Sequence, residues 1–458
     1  MSQAAIGAPL PKLSLVEHVT RTLRLAGPVM AARAGLLIMV TVDAVMCGWV
    51  SADELAFYGI ALVPQLALVL IGIGLLMGTV VVTAQLDGGG RQLDCGRVWR
   101  LALINALLIG IVFGLLLLPG GSILEALGQD SAITAGGGGA VVMFAYGMPG
   151  IMLFVASSAF LEGISRPMPT MVVMALANLL NIVLNVLFLF GPFELGAEGA
   201  ALATSITRTM MGLMLTGYIL LMPARDQFGV FAKMAGAWHL QSRLIHLGWP
   251  MAFSFALEHG AFFAAATFAG WLGTVSLAAY QIVLNTMALI YMLAIGIAVA
   301  TGVRVGNAVG RGDRQAMRVS GWTGVAIGTL LMVLLMPVLS FGGDVIARIY
   351  TDDPAVVRLA TLGLAIASWI LVADACQGIL VGALRGAADI WPTLMIQTGS
   401  FWGVSIPLCY FFSFYANKDI IGLLVGLFFG LAMAALLLGW RFARLSKQGP
   451  VDRIMQDC

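Results

Sequence analysis

Twelve runs of about twenty predominantly apolar residues lie along this chain, and they constrain its fold more than any other feature. A helix needs a run of about this length to cross the hydrocarbon core of a bilayer. Only 10% of the residues are charged, whereas roughly 25% are charged in soluble domains, so a soluble fold could not cover this much apolar surface. We predict an all-α polytopic membrane protein. Its predicted spans are 24–49, 55–84, 98–118, 139–163, 170–191, 198–222, 246–272, 277–303, 318–341, 356–385, 392–414 and 418–443.

The distribution of basic residues orients these spans, because cytoplasmic loops of membrane proteins carry an excess of lysine and arginine. With a cytoplasmic N-terminus, 19 of the 24 basic residues, including Arg385, fall in cytoplasmic segments. External loops hold three, and Arg33 and Arg208 lie within spans. The asymmetry predicts twelve spans with both termini in the cytoplasm.

The chain also contains an internal repeat. Residues 47–62 and 269–284 are identical at seven of sixteen positions without a gap. The separation of these segments along the sequence, 222 residues, is the repeat offset. We predict an N-terminal six-helix bundle over 1–222, a cytoplasmic linker over 223–245, and a C-terminal bundle with a short cytoplasmic tail over 246–458. Because six spans preserve orientation, a pseudo-two-fold axis along the membrane normal should relate the bundles, as in parallel-repeat transporters. This architecture favours a transporter over a channel or an enzyme.

Three acidic residues fall well inside predicted spans: Asp43, Glu258 and Asp374. The other acids are expected in loops or at helix ends. An ionised carboxylate at bilayer depth is costly, so it must face a wet cavity, pair with a cation or stay protonated. Each option suits the binding of a coupling cation, although a structural hydrogen bond between helices would also account for one such residue.

Uncharged polar residues inside the spans can either line a substrate cavity or hold helices together by hydrogen bonds. The candidates are Asn178, Asn181, Asn185, Gln281 and Asn285. We expect His259 to pack or to bond to a neighbouring helix. Arg33 either neutralises a carboxylate or extends its charge to the cytoplasmic face, and the sequence assigns no role to Arg208.

Several enzyme classes are disfavoured by what the sequence lacks. It has no Walker A motif, which argues against an ATPase within this chain. The adjacent Glu258 and His259 do not have the spacing of a metal-binding pair such as HExxH, which disfavours a membrane-embedded hydrolase. We expect no cofactor and no nucleic-acid partner.

Four segments together resemble the MATE family, the multidrug and toxic compound extrusion transporters, in its NorM-type bacterial branch. They are VDAVMCGWVSADELAFYGIA (42–61), NIVLNVLFLFG with LGAEGAALAT (181–204), FALEHGAFF (255–263) and DACQGILVGALRGAADIWPT (374–393). The sequence departs from family patterns at Asn185, where another bacterial branch has an acid, and at Ile370, where some NorM-type members have a tyrosine.

The resemblance implies secondary active export of small organic cations, driven by entry of Na⁺ or H⁺ through alternating access. It implies that Glu258 and Asp374 bind the coupling cation, as metal ligands if that cation is Na⁺, and that Asp43 takes part in coupling. It also implies a monomer in the bacterial inner membrane. The alternative is a flippase or exporter of a lipid-linked or anionic conjugate, which predicts a basic cavity.

Overall fold

The computed structural model describes residues 14–234 and 238–448, and every regular element within them is helical. The elements before residue 222 are α1 Leu15–Val50, α2 Ala52–Leu76, α3 Gly78–Gly88, α4 Gln92–Leu117, α5 Gly120–Ala126, α6 Ser131–Gly163, α7 Met168–Asn185, a π-helical segment Val186–Phe190 and α8 Gly196–Leu221. The later elements are α9 Trp238–Trp271, α10 Thr274–Gly310, α11 Arg314–Tyr350, α12 Pro354–Gly386, α13 Ile390–Thr398, a π-helical segment Gly399–Ser405, α14 Ile406–Tyr410, a second π-helical segment Phe411–Tyr415 and α15 Asp419–Gln448.

Short polar loops set where these helices begin. A side-chain oxygen accepts a hydrogen bond from an otherwise unpaired N–H group in the first turn and so stabilises the helix start. The Ile133 N–H donates to Asp130 ahead of α6 (2.9 Å), and the Ala316 N–H donates to Asp313 ahead of α11 (2.8 Å). The sequence therefore marks helix starts by single loop residues, whereas the apolar runs give the helix lengths.

Ten helices within the described residues are long and apolar enough to cross a membrane, which makes the protein a multi-pass membrane protein. The two other predicted spans correspond to α8 and to the interrupted helix from Ile390 to Tyr415. The count of twelve and the cytoplasmic location of both termini therefore stay predictions. Helix α9 begins at Trp238, inside the stretch 223–245 that was expected to be a linker. The bundle boundaries also stay predictions.

The helices on either side of residue 222 pack closely where α3 and α10 end. A Cβ atom on Gly88 would collide with the backbone of Asn307, and one on Gly310 would collide with the carbonyl oxygen of Gln85. Gly88 and Gly310 are separated by the repeat offset, and so are Gln85 and Asn307. The contact therefore occurs twice, in equivalent positions of the repeat.

The same duplication is seen further along the helices. A Cβ atom on Gly74 in α2 would meet Ala252 in α9, and one on Gly296 in α10 would meet Met30 in α1. The repeat offset again separates both residues of the first contact from their counterparts in the second. The N-terminal and C-terminal helices thus meet through matched close contacts, both at the ends of α3 and α10 and further along the helices.

We expect the Gly310→Ala substitution to destabilise the protein. The added methyl group meets a backbone carbonyl that cannot rotate away, so α3 and α10 must separate, at a cost of about 1–3 kcal/mol. The measurement is the thermal unfolding midpoint of the purified protein in detergent. Gly217→Ala in α8 is the matched control, because no atom lies within 4 Å of its added Cβ. Equal midpoints for the two variants would contradict the assigned contact.

Candidate functional site

Asp43 lies at the centre of a buried hydrogen-bonded pocket formed by α1, α2, α7 and α8. Its carboxylate accepts hydrogen bonds from the Tyr58 hydroxyl (2.9 Å), the Asn185 amide (2.5 Å) and the Thr204 hydroxyl (2.5 Å). All four residues are fully buried. A buried polar group is stable only when its partners are present, so this pocket is arranged around the acid.

A second polar layer adjoins the Asp43 pocket. The Asn185 amide also donates to Asn181 (3.3 Å), while Asn181 Nδ2 and Asn185 Oδ1 have no partner among the described residues. The buried Arg208 guanidinium donates to Gln65 (2.8 Å), lies over the Phe144 ring at 5.6 Å, and is within electrostatic reach of Asp43. Arg208, to which the sequence assigned no role, is thus a cation close to the buried acid.

Glu258 on α9 and Asp374 on α12 belong to a second cluster, separate from the Asp43 pocket. Their charges are within electrostatic reach of each other. Asp374 is 5% exposed, and its Oδ1 atom has no hydrogen-bond partner among the described residues. Glu258 is partly buried and accepts a long hydrogen bond from Gln397 (3.5 Å). An unpaired buried carboxylate oxygen is costly, and it is an acceptor that remains available to bind a cation or a proton.

Tyr291 on α10 completes this second cluster, and sequence reasoning missed it. A Cβ atom on Gly378, one turn after Asp374, would lie 2.5 Å from the Tyr291 hydroxyl oxygen. The hydroxyl is within electrostatic reach of both Asp374 and Glu258. Tyrosine is one of few polar residues in the α10 run, which is the signal that could have identified it.

Arg385 was expected in a cytoplasmic segment, but its side chain reaches back between the helices. Its guanidinium lies over the Phe255 ring at 4.8 Å and donates to the Ser254 hydroxyl (3.3 Å). It is within electrostatic reach of Glu258, one helical turn from Ser254. The residue lies in the last turn of α12, so its sequence position indicates the helix end but not the direction of its side chain.

Glu162 lies at the end of α6, where the sequence places it, but it is buried rather than exposed. It accepts from the Ser158 hydroxyl (2.9 Å) and pairs with Arg33 at 3.5 Å. Helix α6 continues to Gly163 and packs there against α3, so the helix end that the sequence indicated is not at the surface. Of the two roles considered for Arg33, neutralisation of a carboxylate is the one observed.

The remaining candidates for a substrate cavity are not brought together. Asn178 donates to the carbonyl groups of Gly35 (3.2 Å) and Met174 (2.9 Å), which holds α7 against α1. Gln281 and Asn285 lie on an exposed face of α10, where the Asn285 amide donates to the Gln281 carbonyl (3.0 Å). Of the five, Asn181 and Asn185 are the two that adjoin a buried acid. A substrate role for all five residues stays a prediction.

His259 bonds within its own helix, since its Nδ1 atom is 2.9 Å from the Phe255 carbonyl oxygen. Among the described residues, no group of three or more His, Cys, Asp and Glu side chains is placed to hold a metal ion. A cation at Glu258 and Asp374 would therefore have two carboxylates as its charged ligands. Oxygen ligands of this kind suit a hard cation.

Comparisons with known proteins assign the chain to a family. A family model described as MatE matches residues 28–187 and 250–411, well over half of the chain. The chain belongs to the MatE family. The starts of the two matched stretches, at positions 28 and 250, are separated by the repeat offset.

Curated relatives within the family are similar over nearly the whole chain. "Probable multidrug resistance protein NorM" of Caulobacter vibrioides is 33% identical over 443 residues, which cover 95% of this chain and 93% of that protein. "Multidrug resistance protein NorM" of Vibrio parahaemolyticus is 31% identical over 445 residues, covering 95% and 97%. The predicted resemblance to NorM-type MATE proteins, which are transporters and not enzymes, is confirmed.

Solved structures show the same fold. The chain matches "Outward-facing conformation of a multidrug resistance MATE family transporter of the MOP superfamily" with a TM-score of 0.87 and 18% identity, over 96% of this chain and all of that one. At this identity the match establishes the MATE fold alone.

We expect the Arg33→Met substitution to destabilise the protein by about 3 kcal/mol, because it leaves the Glu162 carboxylate buried without its cation. The thermal unfolding midpoint in detergent is the measurement. The double variant Arg33→Met/Glu162→Gln removes both charges and should recover most of the loss. A double variant no more stable than Arg33→Met alone would show that the pair is not the source of the effect.

Proposed function

We propose that this protein is a secondary active multidrug exporter, which antiports small organic cations against Na⁺ or H⁺ by alternating access. In this proposal it has twelve spans with both termini in the cytoplasm and acts as a monomer in a bacterial inner membrane. The relatives named as multidrug resistance proteins support the substrate class.

The observation that carries the proposal is the buried Asp374 carboxylate, which has an unpartnered oxygen and faces the charge of Glu258. Two carboxylates in one site repel each other, so a cation between them is bound strongly. Na⁺ would be held by the oxygen atoms as a hard cation, whereas H⁺ would bind one carboxylate directly. Either ion lowers the negative charge of the site.

Exchange follows if an organic cation and the coupling ion compete for the same negative charge. Entry of the coupling ion from outside then displaces the organic cation outward. A ligand shifts the balance between inward-open and outward-open states only by its difference in affinity for them. In this proposal the matched glycine contacts at the ends of α3 and α10 are made in the state that is closed at the basic loops.

The proposal is tested by ethidium efflux from liposomes that contain the purified protein, with a Na⁺ gradient and a pH gradient imposed separately. Efflux driven by one gradient supports antiport and identifies the coupling ion. Failure with both gradients, across several cationic dyes, would reject cation antiport. Transport of an anionic lipid conjugate by the same liposomes would then favour the flippase alternative.

We expect Glu258→Gln and Asp374→Asn each to reduce gradient-driven efflux at least tenfold while the protein still inserts in the membrane. The physical reason is the loss of one of two charges that hold the cation. Asp344→Asn is the matched control, since Asp344 is exposed on α11 and pairs with the neighbouring-turn Arg348. Full coupled efflux by both site variants would exclude this mechanism.

A further inference from the structure

The charges inside the N-terminal helices balance one another. Arg33 pairs with Glu162. Asp43 has three hydrogen-bond donors and the guanidinium of Arg208 within electrostatic reach. This region therefore contains two acids and two bases, and it needs no added cation for neutrality.

The charges of the C-terminal cluster do not balance. Glu258 and Asp374 contribute two carboxylates, whereas Arg385 contributes one guanidinium. A further arginine of these helices, the buried Arg304, bonds instead to His18 and Thr22 on α1. No carboxylate in the described part of the chain lies within ion-pair distance of Arg385. Arg385 lies in the last turn of α12 and Asp374 eleven residues before it, and Glu258 on α9 is within electrostatic reach of both.

The repeat shows how this imbalance arises. Phe255 follows Arg33 by the repeat offset, and Arg385 lies one position beyond the repeat counterpart of Glu162. In the N-terminal helices Arg33 and Glu162 form an ion pair. In the C-terminal helices the guanidinium of Arg385 lies over the ring of Phe255. An aromatic ring holds a guanidinium in place without cancelling its charge, so the charge of Arg385 remains to act on Glu258.

Two neutral side chains connect Arg385 to Glu258. Arg385 donates to Ser254 (3.3 Å), Ser254 donates to Gln397 (2.5 Å), and Gln397 donates to Glu258 (3.5 Å). The series fixes the guanidinium about one helical turn from the carboxylate. Because arginine stays protonated in proteins, it supplies a permanent positive charge at this point.

We propose that Arg385 is a fixed counter-charge that offsets one of the two carboxylate charges of Glu258 and Asp374 and thereby limits the C-terminal site to one monovalent coupling cation. This inference rests on the proposed antiport function. One cation exchanged for a singly charged organic cation moves no net charge across the membrane. Removing the guanidinium leaves two uncompensated carboxylates, so two cations should enter for each organic cation exported.

The test is ethidium efflux from proteoliposomes at membrane potentials set by K⁺ and valinomycin, with the ion gradient that drives the wild-type protein. We expect wild-type efflux to be independent of potential. Arg385→Gln should move one extra positive charge inward, so an inside-negative potential should accelerate its efflux at least fivefold. The upper limit is about fiftyfold at 100 mV for one charge across the membrane.

A charge-restoring double variant separates this role from a structural one. Glu258→Gln alone leaves Asp374 and Arg385 in balance and should lose coupled efflux. Arg385→Gln/Glu258→Gln restores the net charge of the wild-type cluster, so part of the efflux lost in Glu258→Gln should return, and it should be independent of potential. If Arg385 had only a structural role, adding Glu258→Gln to Arg385→Gln would not restore efflux.

Two arginine substitutions serve as controls. Arg385→Lys keeps the positive charge and should keep efflux independent of potential, whatever its rate. Arg348→Gln removes an exposed arginine, paired with Asp344 at the surface, and should behave as wild type.

The outcomes distinguish this inference from the proposed function. Absence of wild-type efflux with any gradient would reject antiport itself. Wild-type efflux that responds to potential, or an active Arg385→Gln variant that does not, would reject only the counter-charge. If Arg385→Gln is inactive, the wild-type response to potential and the double variant decide.

Discussion

The cost of an unpaired charge away from water governs the interior of this protein. Helices satisfy the backbone internally, as a bilayer demands, and the side chains then become the only costly groups. Arg33 and Glu162 lower this cost by forming an ion pair, and Asp43 lowers it by accepting three hydrogen bonds. Asp374 keeps an oxygen without a partner and, within the described ranges, has no arginine at ion-pair distance. Of these buried acids, Asp374 is therefore the one with neither an arginine nor a hydrogen-bond donor paired with it in the described part of the chain, and the proposed coupling site lies there.

The two halves of the repeat share the same close helix contacts but differ in their buried polar residues. The matched glycine contacts recur at a constant offset, yet the buried acids do not: Asp43 corresponds to Ala265, and Glu258 corresponds to Leu36. Duplication preserves backbone packing because any added atom at those contacts is excluded. The polar pockets are free to diverge, because each requires only that its own charges be accommodated.

Much of the fold could be predicted from the sequence, since apolar runs and loop residues fix helix lengths and starts. The two acids of the C-terminal site could be predicted too, because carboxylates are rare in such runs. Their neighbours could not. From their positions along the helices, Arg385 is predicted to lie in a cytoplasmic segment and Glu162 at a helix end. Their roles depend on the direction of each side chain and on which helix lies opposite, and neither follows from spacing alone. The assignment of Asp43 shows the same limit, since its pocket joins four separate helices and does not include Glu258 or Asp374.

The duplicated glycine contact also bears on how the molecule changes shape. Gly88 against Asn307 and Gly310 against Gln85 are equivalent contacts of the repeat, and both join α3 to α10. In the proposed alternating-access cycle, separation of these two helices breaks both contacts together. Close-packed interfaces of this kind are bistable rather than gradually deformable. The closure at the basic loops should therefore act as an all-or-none step, and leakage through a half-open intermediate should be rare.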